Sequence, residues 1–320
     1  MEKGRGWSVL GRARGRRGGG VAARDRPRRD GAPLPMFDAG AHVDIHIGPG
    51  LVRQYSLCSN PADPSLYRLG VLRDPASRGG SVGVHDILLE GHEVQISLPR
   101  NLFALAAEAR RSVLLGGGIG VTPMIAMAYA LHAAGQTFEL HYCGRERERS
   151  AFLAELASAP FAAQVFTHFD DEGPEQKLDL AKVLGKGEAG VHMYTCGPAG
   201  FMDWVIQGAR RQGYSESHIH KEYFQVDVDS SGGSFEVVAA RSGKTVKVAE
   251  GQSILAALAQ VGIKIEISCE QGVCGTCLCD VLEGEPDHRD VYLTDDEKAG
   301  NDQVLVCCSR AKSKKLVLDI

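Results

Sequence analysis

The sequence predicts a multidomain protein with three folded modules in series. They are a small antiparallel β-barrel, an α/β domain on a parallel sheet, and a compact cysteine-rich C-terminal unit. Three observations predict this. Short strand-like runs separated by Pro, Gly or Asn/Asp fill residues 41–100. Strand and helix patterns alternate over residues 110–226. A Gly/Ser-rich linker then precedes a pattern with its own hairpin, helix and cysteine loop.

Residues 1–32 read as Arg/Gly-rich low complexity (RGRRGGG, RDRPRRD) with no apolar period, so a disordered segment is expected there. The barrel is placed at 33–107. Its strands are AHVDIHI, RQYSLCS, YRLGVLRD, SVGVHDIL and EVQISL, bounded by turn residues. The α/β domain is placed at 108–228. In it SVLL reads as a buried strand, GGGIGVTP as a glycine loop, and MIAMAYALHAAG as a helix ended by Gly135. FELHYC, AQVFTHF and VHMYTC are further strands. DVDSSGG is the linker, and the last unit occupies 233–320. There SFEVVAA and KTVKVAE flank RSG as a hairpin, Ser253 caps the helix ILAALAQVG, and LVLDI closes the chain as a strand.

The chain of 320 residues has 43% hydrophobic and 24% charged residues, ordinary for a globular protein. No run approaches the roughly 20 apolar residues that span a bilayer, and no apolar segment follows the positive N-terminus, so no membrane association and a cytoplasmic location are expected. Residues 1–30 carry ten Arg or Lys against three acids, about +7, which leaves about −11 on the remainder of a net −4 chain. An acidic body argues against nucleic acid as a partner. Nine cysteines in such a chain point to metal or redox chemistry rather than disulfides.

The strongest motif is Cys269-x4-Cys274-x2-Cys277, with Cys307 further on. This is the spacing of plant-type [2Fe–2S] ligation. Each tetrahedral iron needs two thiolates besides the two bridging sulfides, and one loop supplies three only by wrapping tightly. Gly272 and Gly275 permit the wrap and leave N–H groups aimed at sulfur. A zinc ribbon would use two paired knuckles, and only one CxxC is present. Cys279 and Cys308 are the rival ligands. Cys279 is expected to point away along a strand, and Cys308, adjacent to Cys307, to face the opposite side.

Strand Val113–Leu115 runs into Gly116-Gly117-Gly118-Ile119-Gly120, where Thr122 suits a helix N-cap and Pro123 the first helical position. Free N–H groups there suit a pyrophosphate. Cys196-Gly197-Pro198 ends another strand at the edge where open α/β sheets bind ligands. Arg145, Arg147 and Arg149 offer a 2′-phosphate site, but their alternation with Glu146 and Glu148 reads better as a solvated face, which favours NADH. In Arg53-Gln54-Tyr55-Ser56 the Arg suits a phosphate, the Tyr a flat ring and the Ser a hydrogen bond; Gly79-Gly80-Ser81 adds backbone donors. Nicotinamide gives up two electrons at once and a [2Fe–2S] cluster takes one, so a flavin is implied between them.

In this order the motifs resemble the phthalate dioxygenase reductase family, from about Leu34 to Ile320. The telling stretches are RQYSLCSNP, VLRDPASRGGS, LLGGGIGVTPM, CGP, CEQGVCGTC, DHRD and CCSRAKSKKLVLDI. The resemblance implies a flavin-binding antiparallel β-barrel, an NAD-binding α/β domain and a C-terminal β-grasp ferredoxin domain. It implies FMN contacts at Arg53, Tyr55, Ser56, Val71, Leu72, Arg73, Gly80, Ser81, Thr122 and Phe224. NADH would lie along Gly117, Gly118, Gly120, Cys196, Gly197 and Pro198, with Thr122, Cys196 and Phe224 lining the reacting centre. It implies that Cys307 rather than Cys308 is the fourth ligand. The expected activity is electron transfer from NADH through FMN and [2Fe–2S] to a Rieske-type oxygenase of aromatic degradation, by a monomer. Two other readings are an FAD/NADPH reductase of the same architecture and a ferredoxin-like carrier with a non-functional flavin module. Two departures stand out. Leu72 replaces a Lys found in relatives. The Arg/Gly tract lies where the family's barrel begins, so the first strands are expected to be missing, with weaker FMN binding, and a shifted reading frame or misplaced start is one origin for the tract.

Overall fold

The computed structural model describes residues 5–8, 12–15, 18–24, 34–88 and 93–320. Two compact units emerge, Met1–Phe224 and Gln225–Ile320. No helix among the described residues is long and apolar enough to cross a membrane.

The first unit opens with β1 (Arg5–Ser8), β2 (Arg12–Gly15) and β3 (Gly18–Arg24), followed by β4 (His42–Gly48), β5 (Leu51–Ser56), β6 (Leu66–Gly70), α1 (Gly80–Asp86) and β7 (Glu93–Ile96). They form two antiparallel sheets, ordered β1-β7-β4-β5 and β2-β3-β6. A bridge between Leu57 and Leu69 links the β5 end to β6, in place of one closed ladder. Where an unstructured tract and missing first strands are expected, the backbone of β1 pairs with β7, and that of β3 with β6. The physical reason is that β6 and β7 would otherwise present rows of unpaired N–H and C=O groups. Residues 5–24 contain no proline to interrupt a ladder. The rest of the tract expected to be disordered lies outside the described residues. Strand β4 is buried on both faces: Val43, Ile45 and Ile47 join the core, while His42 and Asp44 are buried opposite them. Asp44 is paired with Arg100 at 2.8 Å. Burial lowers the His42 imidazole to about 4.

The α/β part comprises β8 (Arg111–Gly117), α2 (Val121–Ala133), β9 (Thr137–Gly144), α3 (Leu153–Ser158), β10 (Val165–Phe169), α4 (Leu180–Leu184), β11 (Val191–Cys196), α5 (Ala199–Arg211) and β12 (Ile219–Glu222). The sheet order is β10-β9-β8-β11-β12, all parallel. Alternation sorts the faces: Leu114, Leu140 and Tyr194 pack with Met124 and Ile125 of α2. Val113, Leu115 and Met193 pack with Met202 and Val205 of α5. Gly135, at φ 64°, closes α2 as expected.

The antiparallel and parallel sheets share one apolar cluster. Arg68 of β6 grips Glu155 of α3 with both guanidinium nitrogens at 2.6 Å. The Tyr194 hydroxyl accepts the Ala106 N–H at 2.8 Å. These ties explain why the two modules form one unit.

The second unit contains β13 (Phe235–Ala239), β14 (Lys244–Val248), α6 (Ile254–Gln260), β15 (Leu278–Glu283), β16 (Pro286–Asp287), α7 (Asp295–Gly300), β17 (Gln303–Leu305), β18 (Arg310–Ala311) and β19 (Lys315–Leu318). The expected hairpin and cap are present, Ser253 accepting from the Ala256 N–H at 3.1 Å. The sheet order β14-β13-β19-β15-β17, with β19 parallel to β13, is a β-grasp arrangement under α6. Buried Arg310 donates to the carbonyls of Gly232, Gly233, Ala249 and Gln252, tying the linker to this unit.

Candidate functional site

In the parallel sheet β8 is the first strand, with β9 on one side and β11 on the other, so the chain reverses direction of growth between β8 and β11. Such a switch point, at the carboxyl ends of the strands, is where these sheets bind ligands. Both predicted loops lie there. A Cβ on Gly120 would fall 2.3 Å from the Cys196 carbonyl oxygen and 2.7 Å from the Gly197 nitrogen, so the two loops touch through backbone. A Cβ on Gly117 or Gly197 would strike the Phe201 ring at 2.7 or 2.9 Å. Gly118, at φ 57°, has open space where its Cβ would be. Pro198 stands at the N-cap of α5.

Thr122 does not cap the helix. A 3-10 turn over Gly118–Gly120 brings the chain into α2 two residues earlier than expected, with Gly120 at the N-cap. Thr122 is therefore inside the first turn and donates its hydroxyl back to the Ile119 carbonyl at 3.0 Å. Its methyl occupies the space in front of Gly70, which joins the α/β loop to β6.

At the same edge, register places Cys196 beside Glu222. The Ser56 hydroxyl, from the end of β5, donates to Glu222 Oε2 at 3.1 Å. Sequence reasoning missed Glu222; its one signal is an acid closing a strand just before the aromatic pair Tyr223-Phe224. Glu222 keeps some accessible surface but sits in the packed junction, where desolvation pushes its carboxyl up to about 8 against the opposing Ser56 bond. Burial, reinforced by Glu222, holds the Cys196 thiol well above its ordinary value. Phe224 packs against the shared core, as does Tyr55, whose hydroxyl burial raises to about 12.

Arg53 and Tyr55 share one face of β5. The Arg53 side chain lies over Gly80: an added Cβ there would come within 2.6 Å of Arg53 Cγ. Its guanidinium donates to the carbonyls of Val52 at 2.7 Å and Arg78 at 3.0 Å. Gly79, at φ 83°, turns the chain into α1. Ser81 lies in the same turn, its N–H donating to Ser77 Oγ at 3.1 Å and its hydroxyl accepting from Asp74 N–H at 3.1 Å. Arg53, Gly80 and Ser81 are thus brought together around a cradle that any larger residue at 80 would fill. The VLRD stretch is less convergent. The Val71 side chain is in the core, Leu72 is 52% exposed, and Arg73 pairs with Asp86 at 3.0 Å.

Two of the three arginines past β9 are neutralised. Arg147 pairs with Glu172 and lies 4.4 Å over the Phe169 ring. Arg149 pairs with Glu146 at 3.1 Å.

In the second unit Cys269, Cys274, Cys277 and Cys307 are all buried. The Cys274 thiol donates to Thr276 Oγ1 at 3.3 Å. Among the described residues no three His, Cys, Asp or Glu side chains are set to hold one metal ion. Gly272 and Gly275 have φ of 72° and 73°. A Cβ on Gly275 would meet the Tyr292 ring at 2.3 Å, so the loop fits only with glycine there. The Gln271 and Thr276 N–H groups donate to Cys269 Sγ at 3.3 Å and Cys274 Sγ at 3.4 Å. Asp290 of the DHRD stretch is buried and accepts the N–H groups of Tyr292 and Leu293 at 3.2 and 2.8 Å. The Val291 N–H donates to Gly272 O at 3.1 Å, fastening this segment against the cysteine loop. Cys279, on β15, turns its thiol to the Cys277 carbonyl at 3.7 Å. The expectation for Cys308 needs correction. Residues 306–308 form a turn, so strand alternation does not apply, and the Cys308 Sγ lies against Gly272 of the ligand loop.

Residues 237–312 match the family of 2Fe-2S iron-sulfur cluster binding domains. The chain is 50% identical over 295 residues to vanillate O-demethylase oxidoreductase of Pseudomonas sp. (strain HR199 / DSM 7063), covering 92% of this chain and 93% of the relative. It is similar to the solved structure of phthalate dioxygenase reductase, described as modular for electron transfer from pyridine nucleotides to [2Fe–2S], at TM-score 0.74 and 37% identity over 98% of this chain and 97% of that one. An intact type IV self-sufficient cytochrome P450 monooxygenase matches 99% of this chain at TM-score 0.85 and 37% identity. The match spans 41% of that longer chain.

Proposed function

The chain belongs to the phthalate dioxygenase reductase family, and on that footing we propose that it is the NADH-oxidising component of a Rieske-type oxygenase acting on an aromatic acid or ether, working in the cytoplasm as a monomer with FMN and a plant-type [2Fe–2S] cluster. A bound flavin would supply hydride uptake from nicotinamide, and a bound cluster would supply single-electron acceptance. The protein's own residues bind, align and insulate.

Arg53, Gly80 and Ser81 would hold the flavin phosphate, and Tyr55 and Phe224 would flank its ring. Open space at Gly118 leaves room for a dinucleotide along the β8–α2 loop, while Gly117 and Gly120 let that loop close on Phe201 and on the Cys196–Gly197 backbone. Ion pairing of Arg147 and Arg149 supports NADH over NADPH. Cys196 offers a neutral, buried thiol where the nicotinamide would lie, which excludes water without introducing charge. Ser56 Oγ and Glu222 Oε2 hold a proton at the junction of the two sheets, with the carboxyl neutral up to about pH 8. Cys269, Cys274, Cys277 and Cys307 would bind the two irons.

The observation that carries this reading is the burial of all four motif thiols, three of them on a loop that packs against Tyr292 only with glycine at 275, within the stretch that matches the 2Fe-2S domain family. Its test is chemical analysis of the purified protein: iron, acid-labile sulfide, zinc, and the mass of the flavin released by heat. Iron and sulfide in equal amounts with FMN are expected. Zinc in place of iron would overturn the cluster, and FAD would overturn the flavin assignment.

A further inference from the structure

The chain enters the second unit as a fastened strap. Residues 226–233, which include the linker DVDSSGG, are held at several points. The Gln271 side-chain amide donates from Nε2 to the Val226 carbonyl at 3.2 Å. Val228 packs against the apolar core of the unit. Arg289 Nη1 donates to the Asp229 carbonyl at 2.5 Å, and Arg310 Nη2 to the carbonyls of Gly232 and Gly233 at 3.2 and 2.9 Å.

The first of these anchors differs from the others. Gln271 belongs to the cysteine loop, between Cys269 and Cys274, and its own N–H donates to Cys269 Sγ at 3.3 Å. Its main chain thus serves the loop and its side chain the strap. Residues 225–230 form neither helix nor strand, so water could satisfy the Val226 carbonyl. The Gln271 amide takes that place and joins two segments 45 positions apart. Only Gln225 separates Val226 from Phe224. The Cα atoms of Val226 and Phe224 are therefore at most about 7 Å apart, whatever the conformation between them.

We propose that Gln271 is a positioning residue for the electron handoff: its side chain pins the chain that leaves Phe224 to the cluster loop, and so limits how far the cluster can move from the flavin. The inference rests on the reading of the chain as a flavin and [2Fe–2S] reductase with Phe224 beside the flavin. In the step concerned NADH has delivered two electrons to the flavin. One of them passes to the oxidised cluster and turns one ferric iron ferrous, and the other stays on the flavin. No covalent bond is made or broken, so the step depends on separation and orientation, which a fastened strap preserves and a slack one loses.

The test compares the full-length wild type with Q271A and with Q271M, which keeps the length of the side chain and removes the donor. The readings are cleavage before Asp227 and Asp229 by an aspartate-directed endoprotease, the midpoint potential of the cluster, and the rates of flavin and cluster reduction by NADH in stopped flow. Both variants are expected to be cut roughly two- to tenfold faster, the worth of one hydrogen bond. Cluster reduction is expected to slow about tenfold, while flavin reduction stays within about twofold of wild type. The midpoint potential is expected to be unchanged, because the N–H of residue 271 still donates to Cys269 after either substitution. Unchanged cleavage, or a wild-type rate of cluster reduction in Q271M, would overturn the proposal. So would a slowed rate accompanied by a shifted potential, which would make Gln271 a tuner of the cluster and not a positioner. If Q271M does not retain its cluster, Q271N decides by the same readings, since it keeps the amide and withdraws it by one methylene. Wild-type protein whose cluster takes no electrons from NADH would instead overturn the reading on which the proposal rests, so the two failures are distinguishable.

Discussion

Replacing Glu222 with Gln probes the junction on which the flavin-side chemistry is built. The carboxyl has an ordinary value of 4.5 and burial lifts it to about 8. Folded protein therefore keeps a proton that unfolded chain gives up. The associated stability is complete below pH 4.5 and is lost progressively as pH rises towards 8. Each pH unit in that window removes about 1.4 kcal/mol, so about 2 kcal/mol is lost between pH 6 and 7.5. Gln mimics the protonated acid, still accepts from Ser56, and has no such dependence. For a unit of this size 1 kcal/mol shifts Tm by roughly 2–4 °C. The Tm of E222Q relative to wild type should thus rise by about 4–8 °C between pH 6 and 7.5. Differential scanning fluorimetry of both proteins across that range reads it, and every other titrating group cancels in the difference. A Tm difference that stays constant with pH would refute the assignment of a protonated Glu222.

Three further outcomes are expected. R53A should weaken flavin binding about ten- to hundredfold, about 1.4–2.8 kcal/mol, in a fluorescence titration, and leave the visible spectrum of the cluster unchanged. G120A drives a methyl against the Cys196 carbonyl and Gly197 nitrogen; it should cost about 1–3 kcal/mol and abolish NADH oxidation, while dithionite still reduces the cluster. Acid should destabilise the first unit through His42, His141 and His220, which burial lowers to about 4. Their neutral forms are favoured by folding, so stability is full above pH 6.5 and falls as pH drops towards 4. H220Q should flatten the acid limb of a Tm-against-pH curve, and an unchanged limb would remove His220 from that set.

The cysteine motif was legible because ligand chemistry dictates its spacing, and it falls within the residues that match the 2Fe-2S domain family. The glycine loops were legible because close backbone approach admits no other residue, as the Gly120 contact with Cys196 illustrates. What escaped were features created by local geometry or distant neighbours. The GIG sequence forms a 3-10 turn, which moves the helix start and denies Thr122 its cap. The turn at 306–308 defeats strand alternation at Cys308. Glu222 looks like any acid at a strand end until Ser56, 166 positions away, is brought to it. The same holds for His42 and Asp44, which local alternation would put at the surface and which Arg100 and the neighbouring strands bury. The Arg/Gly tract has no apolar period, and its strands follow from backbone pairing that no side-chain pattern announces.

The central claim is that one chain relays electrons from NADH to an iron–sulfur centre. It is tested most directly by anaerobic titration of the purified protein with NADH, followed by visible absorbance and low-temperature EPR. Flavin and cluster are predicted to bleach together, with the EPR signal of a one-electron reduced [2Fe–2S] centre. A cluster that dithionite reduces and NADH does not would contradict the relay and leave the chain a ferredoxin-like carrier.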